Sequence, residues 1–261
     1  MCKTCGCDSN DHQHKHLPQS AAALKRVDVH THILQPEEVV ADGHRQVFAK
    51  DKVLVVNLMS SPGAGKTQLL ENTIQALKDE LTIAVIEGDL DTENDAQRIR
   101  RHGIQAEQIT TGTACHLDAA MIASVLPRFS LDNIDILFIE NVGNLICPAC
   151  FDLGQDANVV LLSVPEGDDK PEKYPVMFRA ADLMLITKTD YLPIATEFSI
   201  SRAEHSFRRI GGSAPVLELA APLDRGMSEW IDWLLFAYAN KFSTLSVASS
   251  SGHTDTSHAT P

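Results

Sequence analysis

The sequence lacks features that would place it in two large classes of protein. It has no apolar stretch near the roughly 20 residues that a membrane-spanning helix needs. Basic residues are scarce, with 22 Lys and Arg against 35 Asp and Glu, and the formal net charge is -13. Phosphate backbones are bound by clustered Lys and Arg, so this balance argues against a nucleic-acid partner. We therefore predict neither a membrane protein nor a nucleic-acid-binding protein.

The N-terminus also lacks the apolar core of a secretory signal, because it is polar and rich in Cys and His. We therefore expect a reducing compartment, the cytoplasm, where disulfides are rare. Thiols in that setting serve metal or redox chemistry more often than disulfide bonds. The six cysteines are Cys2, Cys5, Cys7, Cys115, Cys147 and Cys150.

Composition divides the 261 residues into four segments. Residues 1–19 form a Cys/His-rich metal-binding tail with too little apolar content to fold alone. Residues 20–52 form a linker with a helix near Glu37–Phe48. Residues 53–242 alternate apolar and amphipathic runs and form the folded domain. Residues 243–261 are rich in Ser, Thr and His, and we predict a disordered C-terminal tail.

The folded domain has the pattern of an α/β protein. Short, nearly continuous apolar runs are typical of strands that are covered on both faces, and helical patterns separate them. Such alternation predicts a mainly parallel sheet with helices on both faces. The predicted strands are Val53–Met59, Thr82–Glu87, Asp135–Glu140, Asn158–Val164 and Asp182–Thr187. The predicted helices are Thr67–Glu80, Asp95–His102, Leu117–Leu126 and Arg225–Lys241.

A phosphate-binding loop follows the first predicted strand. Residues 60–67 read Ser-Ser-Pro-Gly-Ala-Gly-Lys-Thr, which is a Walker A motif with Ser in place of its first Gly. A Gly-rich turn alone is a weak signal, but the strand–loop–helix context and the Lys-Thr pair favour nucleotide binding. Lys66 supplies a charge for the phosphates, and the Thr67 hydroxyl is a Mg²⁺ ligand. The predicted nucleotide contacts in this loop are Ser61, Gly63, Ala64, Gly65, Lys66 and Thr67.

Magnesium requires carboxylates at the carboxyl ends of strands beside the phosphates. Acidic residues end the second and third predicted strands. We predict Asp89 and Glu140 as Mg²⁺ ligands, and Gly143 as the residue that leaves room for the γ-phosphate. Either carboxylate has the alternative role of capping the next helix, and Asp95 is assigned to capping or switching. The predicted catalytic residues are Lys66, Thr67, Asp89 and Glu140.

The nucleotide base is expected at Thr187-Lys188-Thr189-Asp190, where GTPases carry Asn-Lys-x-Asp. A carboxylate at Asp190 accepts two hydrogen bonds from guanine, and adenine does not offer that pair of donors. Hydrogen bonds to a charged group contribute about 1.5–3 kcal/mol each, which is enough to exclude ATP. We therefore predict GTP, with Lys188 and Asp190 as contacts.

The sequence contains two groups of soft metal donors. Cys2, Cys5 and Cys7 form a C-x2-C-x-C cluster, to which removal of the initiator Met would add an α-amine. Nitrogen and sulfur ligands in a tetragonal set suit Ni²⁺ or Cu²⁺, with Zn²⁺ as the competing ion. A tail that binds no metal is the other reading.

The second group lies inside the folded domain. Cys115-His116 is a pair in a loop, and Cys147 lies shortly after Gly143. A lone buried Cys is usually a small core residue, whereas a Cys-His pair in a loop with another Cys nearby favours a metal site. A metal ligand at Cys147 would move when the γ-phosphate pulls on its loop. Nucleotide state would then set the metal affinity.

These motifs together resemble the HypB family, the GTPases that insert nickel during maturation of NiFe-hydrogenases. The resemblance covers about Val53 to at least Trp233. It rests on NLMSSPGAGKT, IEGDLDTENDAQRI, TTGTACHLDA, IENVGNLICPACFDLG, TKTDYLP and the N-terminal MCKTCGC. It implies a homodimeric P-loop GTPase of the SIMIBI class, which hydrolyses GTP slowly.

The same resemblance implies a metal site of Cys115, His116 and Cys147 near the subunit interface, with nickel or zinc as the ion. It also implies a tight nickel site at Cys2, Cys5 and Cys7. The expected partners are a small nickel-binding accessory protein and the hydrogenase large subunit.

Three departures from the family pattern are Thr187 in place of Asn, the extra thiol of Cys150, and the segment 219–223 in place of a Ser-Ala-Lys-like loop. The alternative function is a nickel or zinc buffer whose P-loop domain mainly supports dimerisation. A urease-type nickel GTPase is a further reading, against which the MCKTCGC start and the ENVGN motif argue.

Overall fold

A computed structural model describes residues 29–91 and 93–250, with the side chains of residues 37–91 and 93–242. The predicted tail ligands Cys2, Cys5 and Cys7 lie outside the described residues. Among the residues that are described, no helix is both long enough and apolar enough to cross a membrane.

The centre of the structure is a seven-stranded sheet in which every strand pairing is parallel. The strands are β1 (Leu54–Ser60), β2 (Ile83–Asp89), β3 (Gln105–Thr110), β4 (Ile136–Glu140), β5 (Ala157–Ser163), β6 (Leu183–Thr187) and β7 (Val216–Glu218). Their order is β3-β2-β4-β1-β5-β6-β7. All residues of β1, β4 and β6 are buried, which explains their continuous apolar sequences.

Helices cover both faces of this sheet. They are α1 (Val29–Lys50), α2 (Lys66–Leu77), α3 (Asn94–Arg100), α4 (Ala119–Val125), α5 (Lys170–Lys173), α6 (Pro175–Arg179), α7 (Ile200–Arg209) and α8 (Met227–Ser250). Alternate residues of β1 point to opposite faces. Leu54, Val56 and Leu58 pack in one core cluster with residues of α2 and α8, whereas Val55 packs in a second cluster with Phe48 of α1. The predicted α/β fold with a parallel sheet is confirmed.

Two strands were not predicted, and both lie at edges of the sheet. β3 reads QAEQIT and has only two buried residues, and β7 is three residues long with none fully buried. An edge strand has one neighbour and needs no continuous apolar run. The pattern that identifies the five other strands is therefore absent from these two.

The segment predicted as a linker is part of the folded domain from at least Ala41 onward. Ala41 and Phe48 are fully buried. Arg45 donates to both carboxylate oxygens of Asp152, at 2.8 and 2.7 Å, and His44 Nδ1 lies 3.0 Å from the carbonyl oxygen of Leu153. Helix α1 is thus fastened to the loop that leads into β5.

Helix α8 closes the other face. Trp230 is fully buried, and its indole nitrogen donates to the Thr73 hydroxyl at 2.8 Å. The helix continues to Ser250, so the predicted start of the C-terminal tail at residue 243 falls inside it. The rest of the predicted tail, residues 251–261, lies outside the described residues.

The burial of Phe48 gives a test of whether α1 belongs to the domain. Phe48→Ala should lower the free energy of unfolding by about 3–5 kcal/mol, because it leaves a cavity in the core. Phe236→Ala is the matched control: the Phe236 side chain is 65% exposed, and its loss should change stability by less than about 0.5 kcal/mol. Urea unfolding of both variants measures the difference. Equal effects would mean that α1 is not packed as described.

Candidate nucleotide and metal site

The phosphate loop joins β1 to α2 and is shaped by two glycines. Gly63 and Gly65 have φ angles of 74° and 102°, in the left-handed region that favours glycine. Helix α2 begins at Lys66, so its first amides face the loop. This arrangement of free amides and a helix N-terminus suits an anionic ligand.

Side chains at the loop are preorganised by hydrogen bonds. Lys66 Nζ donates to the Ser60 hydroxyl at 3.1 Å and lies 4.0 Å from Glu140 Oε1. The Thr67 hydroxyl donates to the same carboxylate oxygen at 3.0 Å. Ser60, which replaces the usual Gly, thus holds the lysine that the motif requires.

A cavity of about 450 Å³ opens over this loop. Its walls include most of the predicted nucleotide residues: Gly63, Gly65, Lys66, Thr67, Asp89, Glu140, Gly143 and Lys188. Ser61, Ala64 and Asp190 are not in the wall. Ala64 is fully buried and acts through its carbonyl oxygen, which accepts a hydrogen bond from Thr187 at 2.7 Å.

Gly143 has a packing role beside the predicted one. A Cβ atom at this position would lie 2.8 Å from the Cα of Pro62. The glycine therefore lets the segment after β4 approach the backbone of the phosphate loop.

Three carboxyl groups meet at the cavity floor, and the set differs from the predicted pair. Oxygens of Glu87, Asp95 and Glu140 lie within 4.8 Å of one another. Asp89 lines the cavity, but it is not in this group, and its Oδ1 accepts a hydrogen bond from the amide of Leu90. Glu87 faces Glu140 because β2 and β4 pair in that register. Sequence alone does not give the register of strands that are distant in the chain.

The burial and crowding of these carboxyl groups suit the binding of a cation. Burial and the neighbouring Glu140 raise the pKa of Glu87 to about 12, and burial also raises the pKa of Glu140 against the attraction of Lys66. One oxygen on each glutamate is buried without a hydrogen-bond partner. Oxygen ligands of this kind fit Mg²⁺, so the residues present suit the ion that P-loop chemistry uses.

The predicted base-recognition motif, residues 187–190, follows β6 in a sharp turn. Lys188 adopts a left-handed φ of 59°, which turns the chain sharply after β6. The amide of Thr189 donates to the carbonyl of Leu219 at 3.1 Å. The start of the segment 219–223 therefore helps to hold the motif in place. Asp190 Oδ1 is buried and has no hydrogen-bond partner. Such an oxygen is suited to accept a hydrogen bond from a ligand.

The three soft donors predicted in the domain lie together. The sulfur atoms of Cys115 and Cys147 are 2.9 Å apart, and Cys115 Sγ is 3.8 Å from His116 Nδ1. Burial and Cys115 raise the pKa of Cys147 to about 11, and burial lowers the pKa of His116. The His116 ring stacks on Phe151, with centroids 3.6 Å apart, so its orientation is fixed.

Two asparagines connect these donors to the nucleotide loop. The Asn144 amide donates to the Ser60 carbonyl at 2.8 Å, and its side-chain oxygen accepts from the amide of Cys147 at 3.4 Å. Asn141, next to Glu140, accepts from the amide of Leu117, the residue after His116. Both halves of the soft-donor cluster are therefore tied to residues at the cavity.

The fold and the site define a P-loop nucleotide-binding protein. Residues 54–218 match the family described as CobW/HypB/UreG, nucleotide-binding domain.

Comparison with individual proteins identifies the family within this class. The chain is 49% identical to the hydrogenase maturation factor HypB of Escherichia coli (strain K12) over 210 residues, which cover 80% of this chain and 72% of that protein. It is 40% identical to the hydrogenase/urease maturation factor HypB of Helicobacter pylori, over 81% of this chain and 88% of that one. The chain belongs to the HypB family.

Solved structures agree with that assignment. The crystal structure of HypB from Helicobacter pylori in complex with nickel superimposes with a TM-score of 0.74 at 40% identity, covering 78% of this chain and 96% of that chain. HypB from Archaeoglobus fulgidus gives the same TM-score and identity, covering 78% of this chain and 100% of that chain.

The buried Glu87 predicts how stability depends on pH when no ligand is bound. Folded Glu87 keeps its proton up to a pKa of about 12, whereas in the unfolded chain it loses the proton near its ordinary pKa of 4.5. The folded state then binds more protons, so stability falls as pH rises through this window, by up to about 1.4 kcal/mol per pH unit.

Glu87→Gln should remove this contribution and flatten the decline. Urea unfolding of nucleotide-free protein in a chelator, at several pH values between about 6 and 8, measures the slope. Glu80→Gln, at an exposed position, should keep the wild-type slope. A Glu87→Gln slope equal to that of wild type would show that the carboxyl is ionised in the folded protein.

Proposed function

We propose that the protein is a GTPase metallochaperone, which binds nickel and couples GTP binding and hydrolysis to nickel insertion into a NiFe-hydrogenase. The observation that supports the coupling is the pair of hydrogen bonds made by Asn144. Its backbone bonds to Ser60 at the phosphate loop, and its side chain bonds to the turn that carries Cys147. A change in the phosphate loop is thereby transmitted to a metal ligand.

Guanine selectivity is supported by Asp190. The carboxylate of Asp190 can accept hydrogen bonds from both N–H donors on the Watson–Crick edge of guanine, and its Oδ1 is buried without a hydrogen-bond partner. The Thr187 hydroxyl bonds to the carbonyl of Ala64, which keeps the base-recognition motif at a fixed distance from the phosphates. This contact performs the positioning that Asn performs in the usual motif.

Hydrolysis would use charge stabilisation more than covalent chemistry. Lys66 and the first amides of α2 stabilise negative charge on the phosphate oxygens, with the Ser60 hydroxyl orienting the lysine. Thr67, Glu87, Asp95 and Glu140 are the residues that would hold Mg²⁺. The bound ion supplies further positive charge beside the phosphoryl group.

Nickel is the cargo in this scheme. Cys115, His116 and Cys147 offer two sulfurs and one imidazole nitrogen, a set that suits Ni²⁺ and also Zn²⁺. The Cys2, Cys5 and Cys7 cluster is proposed as a second nickel site. We further propose a cytoplasmic homodimer that acts with a small nickel-binding accessory protein on the hydrogenase large subunit. Nickel in one related crystal structure supports the choice of cargo.

The base preference is tested by Asp190→Asn. Losing two charge-assisted hydrogen bonds, each worth about 1.5–3 kcal/mol, should weaken GDP binding at least about 100-fold. The variant should gain affinity for xanthosine diphosphate, because the Asn amide can donate to its C2 carbonyl. Calorimetry with both nucleotides measures this, and Asp132→Asn, at an exposed position that the nucleotide is not proposed to contact, is the matched control. Unchanged GDP affinity in Asp190→Asn would contradict guanine recognition at this residue.

The coupling is tested by nickel affinity in different nucleotide states. With Cys2, Cys5 and Cys7 replaced by Ser, the remaining site should bind nickel with affinities that differ about 5- to 150-fold between GDP and a non-hydrolysable GTP analogue. Asn144→Ala should reduce that difference, because it removes the bond to the Cys147 turn. Asn133→Ala, which removes a hydrogen bond to the neighbouring exposed residue Asp132, should preserve it.

Two results of this experiment would separate the proposed functions. A nucleotide-dependent affinity supports the metallochaperone. Equal nickel affinity in every nucleotide state would favour the alternative, a nickel or zinc buffer whose P-loop domain mainly supports dimerisation.

A further inference from the structure

Asn57 is a polar residue in the central strand β1, where the other residues from Leu54 to Met59 are apolar. Its side chain is fully buried, and it is not in the wall of the nucleotide cavity. A buried amide group lowers stability unless both its donor and its acceptor are hydrogen-bonded. The role of Asn57 therefore depends on the groups to which its side chain is bonded.

The side chain of Asn57 is bonded to one asparagine on each side. Its Oδ1 accepts from Asn141 Nδ2 at 3.2 Å, and its Nδ2 donates to Asn158 Oδ1 at 3.0 Å. Asn158 lies directly opposite Asn57 in the parallel pairing of β1 with β5. Asn141 is buried and follows Glu140, the last residue of β4. The three side-chain amides thus form a row from β4 through β1 to β5.

Asn141 satisfies its hydrogen bonds in one orientation of its amide group. Its Oδ1 accepts from the backbone amides of Leu117 at 3.2 Å and Val142 at 3.0 Å. If the group were turned over, its NH₂ would face these two N–H donors and both hydrogen bonds would be lost. Asn57 Oδ1 accepts from Asn141 Nδ2 on the other side and so favours the observed orientation.

Asn57 is itself oriented from the side of β5. Asn158 Oδ1 accepts from Asn57 Nδ2 and also from Gln155 Nε2, which is 3.1 Å away. Gln155 Oε1 accepts from the backbone amide of Leu153 at 2.8 Å, so its Nε2 is directed to Asn158. Because Asn57 donates to Asn158, its oxygen is left to face Asn141.

The bond between Asn141 and the amide of Leu117 joins the two parts of the site. Glu140, the residue before Asn141, belongs to the carboxyl cluster that suits a cation. His116, the residue before Leu117, belongs to the group of soft donors. A displacement of Glu140 by a bound cation would therefore reach His116 through one side-chain hydrogen bond, as long as Asn141 keeps its orientation.

We propose that Asn57 is a positioning residue for the coupling between the nucleotide site and the soft-donor site. It acts through Asn141, whose amide group it holds on the loop that carries Cys115 and His116. The inference rests on the proposed function and deepens it, because it names a second hydrogen-bonded path beside that of Asn144. Without Asn57, Asn141 has an unpaired donor and is free to turn, so this path no longer transmits the nucleotide state.

The nickel affinity of Asn57→Leu tests this inference. Leu keeps the branched shape of Asn but neither donates nor accepts a hydrogen bond. The parent is the full chain with Cys2, Cys5 and Cys7 replaced by Ser, and calorimetry with Ni²⁺ is done with GDP and with a non-hydrolysable GTP analogue. The ratio of the two nickel affinities should move toward unity by a factor of about 2 to 30, the range for residues along a coupled path.

Thr73→Val controls for a general loss of stability. Thr73 is also fully buried, and its hydroxyl accepts from the indole nitrogen of Trp230 at 2.8 Å. This contact lies on the face of the sheet that α2 and α8 cover, away from Asn141. Urea unfolding should show that Thr73→Val and Asn57→Leu are both less stable than the parent. Thr73→Val should nevertheless keep the parent's ratio of nickel affinities.

Two further variants test the path itself. Asn158→Leu removes the acceptor for Asn57 Nδ2 at a position that is only partly buried. It should lower the ratio in the same direction, and it takes the place of Asn57→Leu if that variant does not fold. Asn141→Leu should also lower the ratio, and adding Asn57→Leu to it should have no further effect, because Asn57 acts through Asn141.

The outcomes separate this inference from the function on which it rests. A ratio in Asn57→Leu and Asn158→Leu equal to the parent's overturns the role of Asn57 and leaves coupling through Asn144 standing. An equal loss in Thr73→Val, or additive effects of Asn57→Leu and Asn141→Leu, also overturns it. A parent whose nickel affinity is the same in both nucleotide states overturns the proposed coupling itself, and this inference with it.

Discussion

The parallel pairing of β1, β2 and β4 is the constraint on which the site depends. Because all carboxyl ends of parallel strands reach the same edge, the phosphate loop, Glu87 and Glu140 meet there without any local sequence contact between them. The same edge receives the loops that carry the soft donors. The phosphate loop and the soft donors are therefore neighbours as a consequence of sheet topology, and the hydrogen bonds of Asn141 and Asn144 connect them.

Buried charge explains why the cavity suits a cation and an anion together. Glu87 and Glu140 are nearly inaccessible to water, and Lys66 alone does not compensate both. A divalent cation would favour the ionised form of both carboxyl groups and would provide a partner for their unpartnered oxygens. The cavity therefore places groups that suit a cation beside a loop and a helix N-terminus that suit an anion.

Much of the fold could be predicted from the sequence, because central parallel strands must be continuously apolar. β3 and β7 were missed, since an edge strand such as QAEQIT carries no such signal. The phosphate loop is local in sequence and was predicted residue by residue. The carboxyl cluster contains Glu87, which the sequence analysis did not single out, because the facing of Glu87 and Glu140 depends on the register between β2 and β4, and that register is set by packing of the whole sheet.

The Thr187–Ala64 hydrogen bond has a consequence for how related chains are recognised. The Thr187 hydroxyl joins the motif Thr187-Lys188-Thr189-Asp190 to the backbone of the phosphate loop. The side-chain amide of Asn is therefore not required for this contact. A search pattern that demands Asn-Lys-x-Asp would pass over chains of this type. Their identifying feature is a short polar side chain with one donor, at the carboxyl end of β6, within reach of the carbonyl that precedes the second loop glycine.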